Sequence, residues 1–375
     1  MSKTTSPRFL ALDVFRGMTI VFMIIVNNAG DDSVTFAPLH HAHWNGFTPT
    51  DLVFPSFMFA VGNAMSFVMK KWGDYSTASV LGKIFKRTLI IFLLGYLMYW
   101  FPFFRLDSAH HITAFPIAET RIFGVLQRIA LGYCFASLMI YFLKPRASVI
   151  ICCAILLLYW PVMLYFGEGP NPLDIHTNAV LRLDTWLMGT KHLYMGEGFP
   201  FDPEGFLSTF PAIANVVFGY VVGKYVQEKG KSYEGLTKLL LAGFGLLVIA
   251  FFWNYQFPIN KKIWTSSFVL HTTGLDCMIL AATIYFIDIA GKTGWTRFFE
   301  IVGKNPLPVY LLSELLATVL FMIPVGQKSL QGAVYQNIFS YAGPYIGSLL
   351  YAICYMLLCW SFGYLLDKKK IYIRV

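Results

Sequence analysis

The chain is dominated by long apolar runs that return at intervals from one end to the other. A run of about 20 such residues, wound into a helix, matches the hydrocarbon thickness of a bilayer. Of the 375 residues, 57% are hydrophobic and 13% are charged, whereas a soluble domain carries about 25% charged residues. A large soluble helical protein would have to bury too many apolar faces. The sequence therefore predicts an all-α, polytopic helical bundle, integral to the lipid bilayer, with residues 1–375 forming a single domain.

By length, the chain holds about ten predicted membrane spans. Their approximate cores are residues 9–27, 52–69, 89–103, 122–143, 149–166, 207–225, 239–253, 266–287, 307–325 and 345–366. Lysine and arginine concentrate in every second loop, beginning with Lys3 and Arg8 before the first span. Loops rich in these residues stay on the cytoplasmic side. Both termini are therefore predicted to be cytoplasmic, and the loops 40–51 and 167–205 are predicted to lie on the opposite side.

Charge and cysteine usage narrow the class of protein further. The formal net charge of +9 follows from the same bias of basic residues toward cytoplasmic loops. No basic stripe with interleaved stacking aromatics is visible, so nucleic acid is not a predicted partner. The six cysteines lie inside apolar runs, where they serve as small packing residues. Their spacing fits neither a disulfide framework nor a zinc site.

Several charged residues fall inside or beside the predicted spans, where an unpaired charge is costly. Asp13 and Arg16 are three residues apart on one helix face, so they form either a neutralising ion pair or part of a ligand site. Arg121 is placed to extend its side chain toward the membrane interface. Arg128 and Glu314 lie deeper, and each needs a partner or a watery cavity. Together these groups predict a polar path through the bundle.

The most distinctive polar stretch joins the first and second spans. It holds His40, His41 and His43, whose spacing fits no standard metal site and which lack thiolate neighbours, so no metal is predicted. Imidazole suits proton transfer near neutral pH. Asp51 is placed at the N-cap of the second helix, where it either orients a histidine or simply caps the helix. Asn27, at the end of the first span, is either a polar helix end or an amide that binds a sugar or acyl carbonyl.

Stretches spread over nearly the whole chain resemble the heparan-α-glucosaminide N-acetyltransferase family. They lie at residues 12–17, 26–27, 41–46, 51–55, 121–128, 201–205, 260–264 and 305–314. The most specific is His-Ala-His-Trp-Asn-Gly at 41–46. The Asp-x-x-Arg-Gly element at 13–17 is less specific, because it also resembles other membrane acyltransferases.

The resemblance implies a transmembrane acyltransferase. Such an enzyme would move an acetyl group from cytoplasmic acetyl-CoA, the acyl donor, to the amine of a glucosamine-type sugar on the non-cytoplasmic side. The resemblance makes His41 the catalytic residue, as a base or acyl carrier, and also implicates Asn27. It further implies a multi-pass protein of the bacterial inner membrane, with an amino-sugar or oligosaccharide acceptor as partner. A homodimer is one option for its assembly.

Further roles are assigned to residues by their chemistry. Asn45, together with Asn27, would stabilise the developing oxyanion, and Asp51 would support His41. Four basic or amide groups are predicted to bind acetyl-CoA, with the phosphates at the cytoplasmic mouth: Arg16, Arg128, Lys304 and Asn305. Three residues are predicted to bind the acceptor: Trp44, Glu204 and Glu314.

A transporter is the alternative function. The same polar path would serve the permeation of an amino sugar of the N-acetylglucosamine type. No internal repeat is visible in the sequence, so an inverted-repeat transporter gains no support from symmetry.

Overall fold

The computed structural model describes residues 9–106 and 111–373. Within them the helices, in chain order, are α1 (Leu10–Asn27), α2 (Pro49–Val68), α3 (Thr77–Trp100), α4 (Val125–Phe166), α5 (Ala179–Met188), α6 (Thr209–Lys229), α7 (Tyr233–Trp253), α8 (Ser266–Ile284), α9 (Thr296–Lys304), α10 (Pro306–Met322), α11 (Leu330–Val334) and α12 (Pro344–Lys368). Two short antiparallel ribbons pair β1 (Phe104–Leu106) with β2 (Ile112–Ala114), and β3 (Pro324–Val325) with β4 (Lys328–Ser329). The all-α prediction is confirmed.

Among the described residues, seven helices are long and apolar enough to cross a membrane. The count rises to eight if α9 and α10, which meet at a bend of 84°, form one broken span. The 42-residue α4 would extend about 63 Å if straight, twice the bilayer core. It breaks at Lys144, which has φ 66° and ψ 160°, and so covers two of the predicted spans. Ten spans and cytoplasmic termini stay predictions, and Lys3 and Arg8 lie outside the described residues.

The centre of the bundle is the close packing of α2 against α6. A Cβ atom added at Gly62 would lie 2.0 Å from the carbonyl oxygen of Val216, and one added at Gly219 would lie 2.1 Å from that of Phe59. Real Cβ atoms do not approach so closely, because interiors are already packed to contact. The two glycines therefore let the helix backbones touch, which fixes the position of the first turn of α2.

Three loops cover one end of the bundle, which we call the histidine end because it carries His41. They are residues 28–48, 167–208 and 254–265, and a cluster of aromatic and aliphatic side chains joins them. The rings of Trp44 and Phe201 meet edge to face at 5.8 Å, and the Tyr159 hydroxyl donates to the carbonyl of Ile263 at 2.7 Å. This packing holds loops from distant parts of the chain over the start of α2.

Candidate active site

The first turn of α2 fixes the position of Asp51. Thr48 is the N-cap residue, and Asp51 is the third residue of the helix. The Oδ2 atom of Asp51 accepts hydrogen bonds from the Thr48 backbone N–H at 3.0 Å, the Thr48 hydroxyl at 3.1 Å and the Ala42 backbone N–H at 3.0 Å. The prediction that Asp51 is the N-cap is therefore wrong, because the helix begins with a capping box in which Asp51 reaches back to Thr48.

The other carboxylate oxygen of Asp51 holds His41. Its Oδ1 atom lies 2.7 Å from Nδ1 of His41. Asp51 is 1% exposed, whereas the side chain of His41 is 44% exposed. Because an ionised carboxylate only accepts hydrogen bonds, the proton of the neutral imidazole resides on Nδ1. The Nε2 atom then carries the lone pair that can accept a proton or attack an acyl group.

Lys261 is the second charged neighbour of His41. Its Nζ atom lies 3.1 Å from Nδ1 and 3.2 Å from Nε2 of the His41 ring. Lys261 is not among the site residues predicted from the sequence. The signal that could have found it is the resemblance at residues 260–264, which marks a polar, positively charged stretch.

These surroundings favour the neutral imidazole. Partial desolvation and the charge of Lys261 lower the pKa of His41, and they outweigh the carboxylates of Asp51 and Glu204, which raise it. Burial also lowers the pKa of the Lys261 ammonium group, against the opposing effect of the same two carboxylates. A general base must be unprotonated at the working pH. His41 meets that condition near neutrality.

The loop that carries Lys261 is held by its own side chains. The Asn260 amide oxygen accepts from the backbone N–H of Ile263 at 3.1 Å, and the Asn260 amide nitrogen donates to Oδ1 of Asn45 at 3.2 Å. The buried Trp264 adopts φ 49°, which is unusual for a residue with a Cβ, and its indole N–H donates to Asn215. Asn45 therefore contacts the lysine loop, and its own amide N–H group stays available as a donor.

Arg128 lies beneath this loop, fully buried. Its guanidinium stacks on the Trp264 ring at 4.7 Å from the centroid, and it donates to the Gly205 carbonyl at 3.1 Å and to the Ser208 hydroxyl. The structure thus places Arg128 in the first turn of α4 at the histidine end. This end of the bundle is opposite to the one that holds Arg16 and Lys304, with which Arg128 was predicted to bind the phosphates of acetyl-CoA. The reason is that α4 begins at Val125, so Arg128 is not deep in a span.

Arg121 is buried instead of reaching the interface. Its side chain is 13% exposed. The guanidinium donates to both oxygens of Asp202 at 2.8 and 2.6 Å and to Glu204 at 2.6 Å. It lies between the rings of Tyr99 and Tyr194. The prediction that Arg121 extends to the membrane interface is wrong, because a bidentate pair with a buried carboxylate fixes its guanidinium.

The predicted acceptor-binding residues Glu204 and Trp44 both reach the histidine end. Burial raises the pKa of Glu204, but the charges of Arg121, Arg128 and Lys261 outweigh this effect. The pKa of Glu204 is therefore below its ordinary value, and the carboxylate is ionised. The indole N–H of Trp44 donates to the Leu173 carbonyl at 3.0 Å. Glu204 thus adds a negative charge that acts on His41, whereas Trp44 anchors the long loop.

The predicted residues Asn27 and Glu314 lie together on neighbouring helices. The side chains of Asn27 and Tyr310 both interact with the Glu314 carboxyl group. Within the part of the chain that the structure describes, no hydrogen bond joins Asn27 to His41.

Arg16, Lys304 and Asn305 lie at the opposite end of the bundle. Arg16 pairs with Asp13 at 2.6 Å, and Lys304 pairs with Glu300 at 2.6 Å. The Asn305 side chain donates to the carbonyl of Ile371 and accepts from the N–H of Ile373, both at 3.0 Å. Asn305 therefore secures the C-terminal segment, and Lys304 pairs within its own helix. Their predicted contact with acetyl-CoA stays a prediction.

The two extra histidines flank the site without joining it. The Nε2 atom of His40 lies 3.1 Å from the carbonyl oxygen of Thr35, and His43 is exposed. Across residues 9–106 and 111–373, no group of three or more His, Cys, Asp or Glu side chains is arranged to hold a metal ion.

Comparison with known proteins places this chain in a family. A family model described as "Heparan-alpha-glucosaminide N-acetyltransferase, catalytic" matches residues 8–249, more than half of the chain. The chain is 27% identical to human heparan-alpha-glucosaminide N-acetyltransferase, over 82% of this chain and 53% of the human protein. The mouse protein is also 27% identical, over 84% of this chain and 54% of its own length. The chain thus spans about half the length of the curated relatives it matches, and it belongs to the heparan-alpha-glucosaminide N-acetyltransferase catalytic family.

Proposed function

We propose that the protein is a transmembrane N-acetyltransferase that moves an acetyl group from acetyl-CoA to the amine of a glucosamine-type sugar. The observation that carries the proposal is the 2.7 Å contact between Asp51 and Nδ1 of His41. A carboxylate that holds one imidazole nitrogen leaves the other as a base or nucleophile, as in hydrolases with a catalytic triad. The names of the human and mouse relatives support the choice of acetyl transfer to a glucosaminide.

His41 has two chemically balanced routes in this reaction. In direct transfer, Nε2 removes a proton from the sugar ammonium group and the amine attacks the thioester carbonyl. The CoA thiolate leaves and takes that proton from the imidazolium, and the second amine proton leaves to water as the amide forms. In the covalent route, Nε2 attacks the thioester and releases the CoA thiolate, which takes a proton from the sugar ammonium group. The amine then attacks the acetyl-imidazole, the imidazole leaves, and the second amine proton leaves to water. Both routes need the tautomer that the Asp51 contact favours, with the proton on Nδ1 and the lone pair on Nε2.

The developing oxyanion needs hydrogen-bond donors close to His41. Asn45 is the better candidate of the two predicted amides, because its oxygen accepts from Asn260 in the loop that carries Lys261, which leaves its amide N–H group as the donor. Asn27 interacts with Glu314 instead. A preorganised donor at an oxyanion is worth about 3 to 4 kcal/mol of transition-state stabilisation.

Acetyl-CoA would span the bundle from its cytoplasmic mouth to His41. Basic groups at the end opposite His41, Arg16 and Lys304 among them, suit its phosphates. Two side-chain amides within the bundle, those of Asn63 and Gln127, are buried and have unpaired polar atoms within the described residues. Such groups fit the two amides of the pantetheine arm, because buried polar atoms are normally hydrogen-bonded. The cytoplasmic donor and the opposite-side acceptor are proposed from the alternation of basic loops.

The experiment is acetyl transfer by the purified protein. Labelled acetyl-CoA and glucosamine are incubated with wild type, His41→Ala and His43→Ala. The His43→Ala variant is the control, because it removes a neighbouring exposed histidine. We expect His43→Ala to stay within about threefold of wild type and His41→Ala to lose about 10²-fold or more in rate. Transfer by His41→Ala at the wild-type rate would contradict the proposal.

The transporter alternative is tested with the same preparation. Proteoliposomes are given labelled N-acetylglucosamine in the absence of acetyl-CoA. The acetyltransferase proposal expects no uptake above empty vesicles, whereas saturable uptake that survives His41→Ala would favour the transporter.

A further inference from the structure

Lys261 occupies a position that packing alone does not explain. Its ammonium group is nearly equidistant from the two ring nitrogens of His41, at 3.1 and 3.2 Å. Nδ1 is bonded to Asp51, so the ammonium group adds a positive charge beside a ring whose Nε2 carries the lone pair. Lys261 is therefore a direct electrostatic neighbour of the reactive nitrogen.

The placement of Lys261 is built into the fold. Three of its near neighbours in sequence, Asn260, Trp264 and Thr265, are fully buried. The backbone N–H of Gly46, in the histidine loop, donates to the Ile259 carbonyl at 2.8 Å. The two loops are thus joined by a main-chain hydrogen bond and by the Asn45–Asn260 contact.

The charges around the pair have opposing effects. Asp51, from the first turn of α2, and Glu204, from the long loop, act on His41 and on Lys261 with negative charge. Arg128 and Lys262 act on Lys261 with positive charge. Lys262 is itself paired with Glu197 at 2.5 Å, and Arg128 is stacked on Trp264. Among the described residues, Lys261 is the cation within hydrogen-bond distance of the His41 ring.

We propose that Lys261 is a positioning residue for His41, whose ammonium group disfavours the imidazolium and holds Nε2 ready to accept a proton. This inference rests on the proposed function of His41 as a base. Two positive charges about 3 Å apart repel each other strongly where water is partly excluded. An imidazole beside Lys261 therefore stays neutral at a lower pH than Asp51 alone would permit.

The same contact assists the return of the proton. Once Nε2 has taken a proton from the acceptor ammonium group, the imidazolium lies beside a second cation. It passes its proton to the departing CoA thiolate and returns to the neutral form, while the second ammonium proton leaves to water as the amide forms. Asp51 stabilises the imidazolium and Lys261 destabilises it. His41 can therefore both accept a proton and release it during the reaction.

The test reads the protonation of His41 directly. Diethyl pyrocarbonate modifies only the neutral imidazole, and mass spectrometry of the peptide that contains His41 gives the modification rate at each pH. The midpoint is compared among wild type, Lys261→Met, Lys261→Gln, Lys261→Arg and Lys191→Met. Lys261→Arg keeps the charge, and Lys191→Met removes an exposed lysine from the long loop.

We expect the midpoint to rise by about half a pH unit or more in Lys261→Met and Lys261→Gln, and to stay at the wild-type value in Lys261→Arg and Lys191→Met. The acidic limb of kcat/KM should move upward in pH by the same amount. An unmoved midpoint in whichever neutral variant elutes as a folded protein would overturn the proposal. If the midpoint moves but wild type transfers no acetyl group, the proposed function fails while the effect of Lys261 on His41 stands.

Discussion

One carboxylate both starts a helix and orients the candidate base: Oδ1 of Asp51 lies 2.7 Å from Nδ1 of His41, while Oδ2 accepts from the backbone N–H groups of Thr48 and Ala42 at 3.0 Å. The imidazole is therefore tied to the first turn of α2 and not merely to a surface loop. Because a helix start is fixed by several hydrogen bonds at once, the direction of Nε2 is fixed with it.

Asp51→Asn is expected to keep the fold and lose activity. An asparagine cannot accept at both former oxygens, so either the Thr48 cap or the His41 contact is lost. We expect kcat/KM to fall by roughly 10²- to 10⁴-fold, as when the orienting carboxylate of a triad is replaced, with a melting temperature within a few degrees of wild type. A variant that keeps full kcat/KM would show that Asp51 serves only as a cap.

Arg121→Ala is expected to destabilise the histidine end. The substitution leaves the carboxylates of Asp202 and Glu204 buried without their cation, which costs about 3 to 5 kcal/mol. The matched control is Arg182→Ala, which removes a pair with Glu168 whose side chains are 46% and 60% exposed and which should cost at most about 1 kcal/mol. Thermal unfolding in detergent measures both, and equal losses would contradict the assignment.

The burial of Asp184 is expected to make the free energy of unfolding depend on pH. Burial, together with the nearby Asp202, raises the pKa of Asp184 from 3.8 to about 7. The folded state therefore binds a proton that the unfolded chain releases, so this contribution is full below about pH 4 and is lost as the pH rises toward 7.

Asp184→Asn is the variant that isolates this effect. Its amide oxygen can still accept from the backbone N–H of Phe206, as Oδ1 of Asp184 does at 3.0 Å. Between pH 5 and pH 8, the melting temperature of wild type should fall further than that of Asp184→Asn. The difference should correspond to about 1 to 4 kcal/mol of unfolding free energy. The partly exposed Asp174→Asn serves as the control. Parallel curves for wild type and Asp184→Asn would refute the prediction.

Gly62→Ala is expected to separate α2 from α6. The new Cβ would lie 2.0 Å from the Val216 carbonyl oxygen, a clash that backbone movement must relieve at about 1 to 3 kcal/mol or more. Gly245→Ala in α7 has nothing within 4 Å of the added Cβ and should be neutral or stabilising by up to about 1 kcal/mol. Because α2 carries Asp51, Gly62→Ala should also lower acetyl transfer, and transfer assays on both variants check this.

Hydropathy predicted the helical membrane architecture because the length of an apolar run reports directly on a bilayer span. Motif chemistry likewise pointed to His41 and Asp51, which are ten residues apart in sequence. Sequence motifs do not predict contacts between distant segments. Lys261 meets His41 across 220 residues of sequence, and no local periodicity carries that information.

Arg121 illustrates the same limit. A lone arginine at the end of an apolar run is compatible either with the interface or with a buried partner. Its partner Asp202 lies 81 residues away, in a loop. Only the packing of the long loop over α4 decides between the two environments, and that packing depends on aromatic contacts such as Trp44 with Phe201.

Acetyl transfer across a sealed membrane measures the proposed reaction and its direction in one assay. Glucosamine is trapped inside proteoliposomes, labelled acetyl-CoA is added outside, and the product inside is measured for wild type and His41→Ala with the orientation of the protein determined. We predict labelled N-acetylglucosamine inside the wild-type vesicles only. Equal product in His41→Ala vesicles, or none in wild-type vesicles whose cytoplasmic face is outward, would contradict the account.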